Sequence, residues 1–195
     1  MVLSTTRYLY WLPEGEPGCE QLQLSGDAEG VRAFGLILRG RGEEHFRCRY
    51  ELEADADWQF RRLAISVTGE PAAPRRREIT RDTGGGWQVD GVAAPELEGC
   101  SEVDIQVTPF TNTLPIRRLK LAEGESAELR VAYVPVPELE PRPAEQRYTC
   151  LEALGAGGGR YLYEGLFRAF QAELPVDRDG LVIDYPETFR RQWPQ

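Results

Sequence analysis

Phe46, Cys48, Tyr50 and Leu52 alternate with Arg47, Arg49 and Glu51, and this two-residue period constrains the fold more than any other feature of the chain. Residues taken in turn along a strand point to opposite faces, and one dry face backed by one wet face is the habit of antiparallel sheets. The period recurs from the first quarter of the sequence nearly to its end. It predicts further strands over Val31 to Leu38, Arg77 to Arg81, Trp87 to Asp90, Val103 to Thr108, Arg117 to Leu121, Ala127 to Val134, Gln146 to Leu151, Arg160 to Leu174 and Leu181 to Tyr185. Between them stand turn sequences: Asp82 with Gly84 to Gly86, Asp90-Gly91, Glu123-Gly124, Gly155 to Gly159, and Asp177 to Gly180. Strands joined by such short connections form a meander.

Trp58 and Phe60 are even-numbered, whereas Leu63, Ile65 and Val67 are odd. A β-bulge near Arg61 and Arg62 reconciles the two halves, and bulges bend strands toward barrels. Pro71 to Pro74 and Pro135 to Pro143 interrupt the pattern; the first reads as a loop, and the second is too proline-rich for a central strand. A helix is expected only at the C-terminal end, over Pro186 to Trp193, where proline opens the first turn and paired arginines close the last. The expected fold is a mainly β single domain over residues 1–195, a curved antiparallel sheet forming an open or incomplete β-barrel with that short C-terminal helix.

Composition narrows the partners. Asp and Glu number 32 against 23 Lys and Arg, a formal charge of -9, and a net-negative domain is repelled by nucleic-acid phosphates and anionic lipid headgroups. No run approaches the ~20 apolar residues of a membrane helix, so neither nucleic acid nor stable membrane insertion is expected. The four cysteines, Cys19, Cys48, Cys100 and Cys150, lie far apart with no histidine beside them, which argues against zinc. The short apolar stretch Tyr8 to Leu12 is not a signal-peptide core. Reduced, mostly buried thiols and a cytoplasmic location follow as expectations.

The motifs of catalysis are missing. Any Ser-His-Asp or Cys-His arrangement must rely on the single histidine, His45, which sits at an expected turn. Asp55/Asp57 and Asp177/Asp179 lie in hairpin connections, where aspartate serves turn geometry. Gly155 to Gly159 runs into a strand, whereas phosphate loops run into a helix. No catalytic residue, metal or cofactor is assigned.

The strand faces carry what remains. Arg117 shares a face with Leu119 and Leu121, so it pairs with a carboxylate such as Asp184, reaches a polar pocket, or snorkels at a sheet edge. The segment Arg160 to Phe170 is apolar on both faces, with Tyr161, Tyr163 and Phe167 on one and Leu162, Leu166 and Phe170 on the other, as in a strand covered twice. With Trp58, Trp87 and Tyr148, these aromatics either line a ligand cavity or form plain core.

The string Thr108-Pro-Phe-Thr-Asn-Thr-Leu-Pro-Ile-Arg-Arg118, with Asp55-Ala-Asp-Trp58, Trp87-Gln-Val-Asp-Gly91, Gly124-Glu-Ser-Ala-Glu128, Glu145-Gln-Arg-Tyr-Thr149 and Gly180-Leu-Val-Ile-Asp-Tyr-Pro186, resembles the bacterial putative glycolipid-binding family across nearly the whole chain. The resemblance implies a fold similar to the Lol-type lipoprotein carriers: an incomplete antiparallel barrel around an apolar cavity, partly closed by a helix or loops. It implies a small amphiphilic ligand, a glycolipid or other acyl-bearing molecule. Asn112 and Thr113 between Phe110 and Pro115 form either a ligand-facing turn or a rigid corner, and Arg117 is available to a headgroup. The candidate ligand-binding set is therefore Trp58, Trp87, Phe110, Asn112, Thr113, Arg117, Tyr148, Tyr163 and Asp184. A non-catalytic carrier competes with an enzyme of glycolipid metabolism using acidic residues and tyrosines, and with an assembly protein pairing through sheet edges.

Overall fold

A computed structural model describes residues 6–41, 44–70 and 73–194. The fold is mainly β, built from curved sheets with one short helix. The strands are β1 (Arg7–Pro13), β2 (Gly18–Gly26), β3 (Gly30–Arg41), β4 (Glu44–Asp55), β5 (Phe60–Glu70), β6 (Arg75–Arg81), β7 (Trp87–Val89), β8 (Val92–Ala93) and β9 (Glu102–Ile105). After the helix α1 (Thr113–Leu119) come β10 (Ser126–Val134), β11 (Arg142–Gly155), β12 (Gly158–Gly165), β13 (Phe170–Val176), β14 (Asp184–Tyr185) and β15 (Phe189–Trp193).

Ten strands form one sheet, in the order β14-β15-β1-β2-β3-β4-β5-β6-β7-β8, and five form a second, β13-β12-β11-β10-β9. All pairs are antiparallel except β9 with β10. An isolated bridge between Val176 and Val182, with Ile183 N–H donating to Pro175 O at 2.8 Å, joins the second sheet to the β14 edge of the first. Strand order therefore runs without a break from β8 back to β1, across β15 and β14, and on to β9. The result is an open barrel.

Residue 61 is the bulge that the parity change demands. Glu53 pairs with Arg62 and Ala54 with Phe60, which leaves Arg61 unmatched, and Phe60, Leu63, Ile65 and Val67 then all face the core. The glycine-rich connections are hairpin turns, with Gly158 at φ 104 where a side chain would meet Val176 O. Of the Pro71 to Pro74 loop, Pro71 and Ala72 lie outside the described residues. His45 is an exposed residue of β4; Gly42 and Glu43 before it lie outside the described residues as well.

Four expectations change. Two strands precede those expected: β1 hides its period because Tyr8 to Leu12 is apolar on both faces, whereas β2 does alternate, with Leu22 and Leu24 inward against Gln21 and Gln23. Arg117 to Leu121 is not a strand, since Thr113–Leu119 is the helix, ending at Lys120 in the left-handed region at φ 50. Pro115 sits in its first turn, where a missing N–H costs nothing. Conversely, Pro186 to Trp193 is a turn followed by β15, which pairs with β1 through Trp11↔Arg191 and Tyr10↔Trp193. Arg160 to Leu174 is two strands joined by a turn, so Leu166 and Phe167 are exposed where a doubly covered strand would bury them.

The short helix and the chain leading into it fill the barrel. Leu114, Pro115 and Ile116 are buried. Thr108 Oγ1 donates to Glu20 Oε1 on β2 at 2.8 Å, Phe110 stacks on Tyr50 of β4 with centroids 6.4 Å apart, and Tyr148 of β11 donates to Asn112 Oδ1 at 2.7 Å. Arg118 grips the buried Glu102 through two hydrogen bonds of 3.0 and 2.9 Å. The segment 108–118 thus touches both sheets, and Thr108, Thr111, Asn112 and Arg118 all find hydrogen-bond partners on the way, while the buried Thr113 hydroxyl has none.

Candidate functional site

Between the plug and the seam of the two sheets lies a cavity of about 250 Å³. Its polar floor comes from β9 and the plug: Asp104, Gln106, Thr108 and Asn112. Its walls are aromatic, from Tyr133, Tyr163, Phe170, Tyr185 and Phe189, and Arg168 stands in the turn between β12 and β13. Alternation on β9 buries Val103 and Ile105 in the core and turns Asp104 to the cavity.

Asp104 is a fixed acceptor. Thr111 Oγ1 donates to one carboxylate oxygen at 3.0 Å and Gln146 Nε2 to the other at 2.7 Å. Burial pushes this carboxyl above its ordinary range, and the two hydrogen bonds and Arg168 offset only part of the rise. The Arg168 guanidinium lies between the rings of Phe167 and Phe170, 5.2 and 5.0 Å from their centroids, an arrangement that keeps a partly buried cation attached to apolar walls. Burial also raises Tyr163 and Tyr185, so both are neutral phenols able to donate. The Tyr163 hydroxyl is buried without a well-formed hydrogen bond. The rings interlock edge to face, Tyr163 with Tyr148 at 5.4 Å and with Tyr185 at 6.0 Å. Outside Arg168, Leu166 and Phe167 form an exposed apolar lip.

A second hollow of about 450 Å³ opens at the far end of α1, lined by Trp58, Arg117, Lys120, Leu154 and Tyr161. Arg117 lies over the Trp58 ring at 5.1 Å, and Trp58 itself occupies the left-handed region at φ 65. Gly180 makes room for Arg117, since a Cβ there would sit 3.0 Å from Arg117 Cδ.

The residues singled out in the sequence are thereby divided. Asn112 and Tyr163 line the first cavity, and Tyr148 stands behind them as the donor to Asn112. Trp58 and Arg117 meet in the second hollow. Phe110 and Thr113 are wholly buried in the plug. Trp87 stacks on Phe60 at 5.3 Å and donates to Cys100 O, away from both hollows. Asp184 pairs with Arg190 at 3.7 Å on the neighbouring strand, not with Arg117. Asp104, Gln106, Tyr133, Arg168 and Phe189 were not singled out. Asp104 and Gln106 alternate with apolar neighbours just as solvent-facing residues do, and of the lining residues only Thr108, Asn112 and Tyr185 belong to the strings that carry the family resemblance.

Among the described residues, no group of three or more His, Cys, Asp or Glu side chains is placed to hold a metal ion, and no helix is long and apolar enough to cross a membrane. The fold and its cavity define a class: an open β-barrel plugged by its own chain, with an aromatic and polar hollow at the seam. The chain belongs to the family described as putative glycolipid-binding, whose model matches residues 8–191. It is similar to a DUF1089 family protein from Pseudomonas aeruginosa seen in a crystal structure, with a TM-score of 0.77 and 41% identity over 88% of this chain and 91% of that one. No curated protein matches it.

Proposed function

We propose that this chain binds a glycolipid or similar amphiphile without transforming it, in the cytoplasm, taking the polar headgroup into the seam cavity and leaving the alkyl part outside. The lining of the cavity carries this reading. Planar polar groups on Asp104, Gln106, Asn112 and Arg168 can answer several hydroxyls at once, while the faces of Tyr133, Tyr185 and Phe189 suit the C–H faces of a sugar ring. Size supports the division of labour. About 250 Å³ is the room of roughly eight waters at ~30 Å³ each and falls short of the ~300–1,000 Å³ of sites that enclose larger ligands. One sugar ring fits this space and an acyl chain does not. Leu166 and Phe167 offer the chain an apolar surface at the lip. The family description supports a glycolipid as the ligand class.

The test is native mass spectrometry of the protein offered octyl glucoside, octyl sulfate or free glucose. One octyl glucoside is expected to be retained per chain. Arg168→Ala and Asp104→Asn should each weaken it more than tenfold, the effect of losing a hydrogen bond to a charged group worth ~1.5–3 kcal/mol. Equal retention of all three probes, or unchanged binding in both variants, would refute the reading. The raised Asp104 carboxyl beside neutral tyrosines favours a second reading, an enzyme acting on the same ligand with Asp104 as acid. Release of glucose from octyl glucoside that disappears in Asp104→Asn would establish it in place of the first.

A further inference from the structure

Six of the ten large apolar side chains exposed among the described residues occupy the outer face of the ten-stranded sheet: Tyr8, Tyr10, Leu12, Phe34, Leu38 and Trp193. The register makes them one patch. Tyr10 pairs with Trp193 on β15 and with Gln21 on β2, Gln21 pairs with Leu36 on β3, and Tyr8 leads through Gln23 to Phe34. A bulge at residue 192 turns Trp193 to this face, where it is 61% exposed, while Arg191 stays inside.

The same rows continue into arginine. Leu36 pairs with Arg49 and Leu38 with Arg47 on β4, and Arg49 leads through Ser66 to Arg76 on β6; Arg32 lies on the same face of β3. Most arginines of this acidic chain are ion-paired, including Arg62, which is shared among Glu51, Glu53 and Glu78 on this very face. Arg32, Arg47, Arg49 and Arg76 are exposed and make no ion pair among the described residues.

We infer that this face is a docking surface for an anionic lipid bilayer. Tyr and Trp settle at the level of lipid headgroups, and arginines beside them reach the phosphates while their stems lie on apolar surface. A patch of this composition left uncovered marks an interaction site. The formal charge of -9 predicts repulsion from such a surface. At physiological salt, however, charges act over only ~8 Å, so a docked face is governed by its own unpaired arginines. A second copy of this chain is a poorer occupant, because two such faces would bring the four unpaired arginines of each copy into one interface. The inference does not rest on the ligand proposed for the seam cavity.

The test sediments the full chain with vesicles of phosphatidylcholine alone and of phosphatidylcholine mixed with phosphatidylglycerol. Binding is expected only to the mixed vesicles, with a blue shift of tryptophan fluorescence as Trp193 leaves water. Arg47→Glu with Arg49→Glu should lower it more than tenfold, at roughly fivefold per charge removed from the surface. Phe34→Ser with Trp193→Ser should abolish the shift and the sedimentation. All four positions are exposed, so unchanged thermal unfolding is the control for folding. Arg168→Ala, aimed at the seam cavity, should sediment as the parent does. Failure to sediment, equal binding to both vesicles, or a dimer in light scattering that these substitutions dissociate would overturn the inference, the last by assigning the face to a second copy.

Discussion

Glu20 makes the stability of this fold depend on pH in an unusual direction. It lies on β2, 2% exposed, with its Oε1 accepting from Tyr50 Oη at 2.6 Å and from Thr108 Oγ1 at 2.8 Å, while Oε2 is buried without a partner. Burial raises its pKa from 4.5 to about 7, and the two hydrogen bonds and the attraction of Arg39 recover only part of the shift. The folded chain therefore holds a proton that the unfolded chain releases. Its contribution to stability is whole below pH 4.5 and is lost as pH rises through about 7. At ~1.4 kcal/mol per pH unit, the interval amounts to about 3 kcal/mol. Glu20→Gln keeps the acceptor for Tyr50 and Thr108 and removes the titration. Urea unfolding of both proteins should agree near pH 4.5, diverge as pH rises from there to about 7 and keep a constant difference above it, the variant gaining up to about 3 kcal/mol. Parallel curves across that range would refute the assignment.

Asp177 works in the opposite sense and at lower pH. Burial alone would raise its carboxyl, but Arg7 at 3.0 Å and Arg191 at 2.7 Å overcome this and hold it below 3.8. Its contribution is present above pH 3.8 and lost as pH falls through the lower folded value. Asp177→Asn should cost about 3 kcal/mol at neutral pH, near the lower end for breaking a buried pair, and should flatten the acid limb of a thermal-unfolding series. Gly35→Ala tests the fit beneath the outer face: its Cβ would fall 2.0 Å from the Tyr50 ring. Overpacking of this kind costs ~1–3 kcal/mol, read as a lower urea midpoint, and a midpoint equal to the parent's would contradict the contact.

In β4 and β5, where one face is wet, the sequence was enough. The bulge at residue 61 could be placed because Trp58, Phe60, Leu63, Ile65 and Val67 record the inward face on both sides of it. Alternation failed where both faces are apolar, and β1 is the case in point: Leu9 and Trp11 enter the core while Tyr8, Tyr10 and Leu12 form the outer patch. It failed again at α1, whose seven residues are too few to display a helical period, so Arg117, Leu119 and Leu121 imitated a strand. The cavity was legible only in part. Alternation distinguishes two faces but does not say whether the second meets solvent or an enclosed hollow, and Asp104 faces the hollow because the plug and β12 cover it from across the fold.

The pairing of β1 with β15 has a consequence for the ribosome. The N-terminal meander can zip as it emerges, yet one edge of β1 stays open until residues 189–193 are made, about 10–35 s later at ~5–20 residues per second. Throughout that interval a strand rich in Tyr, Trp and Leu is an unpaired edge, the part of a nascent chain most apt to pair with a neighbour on the same message.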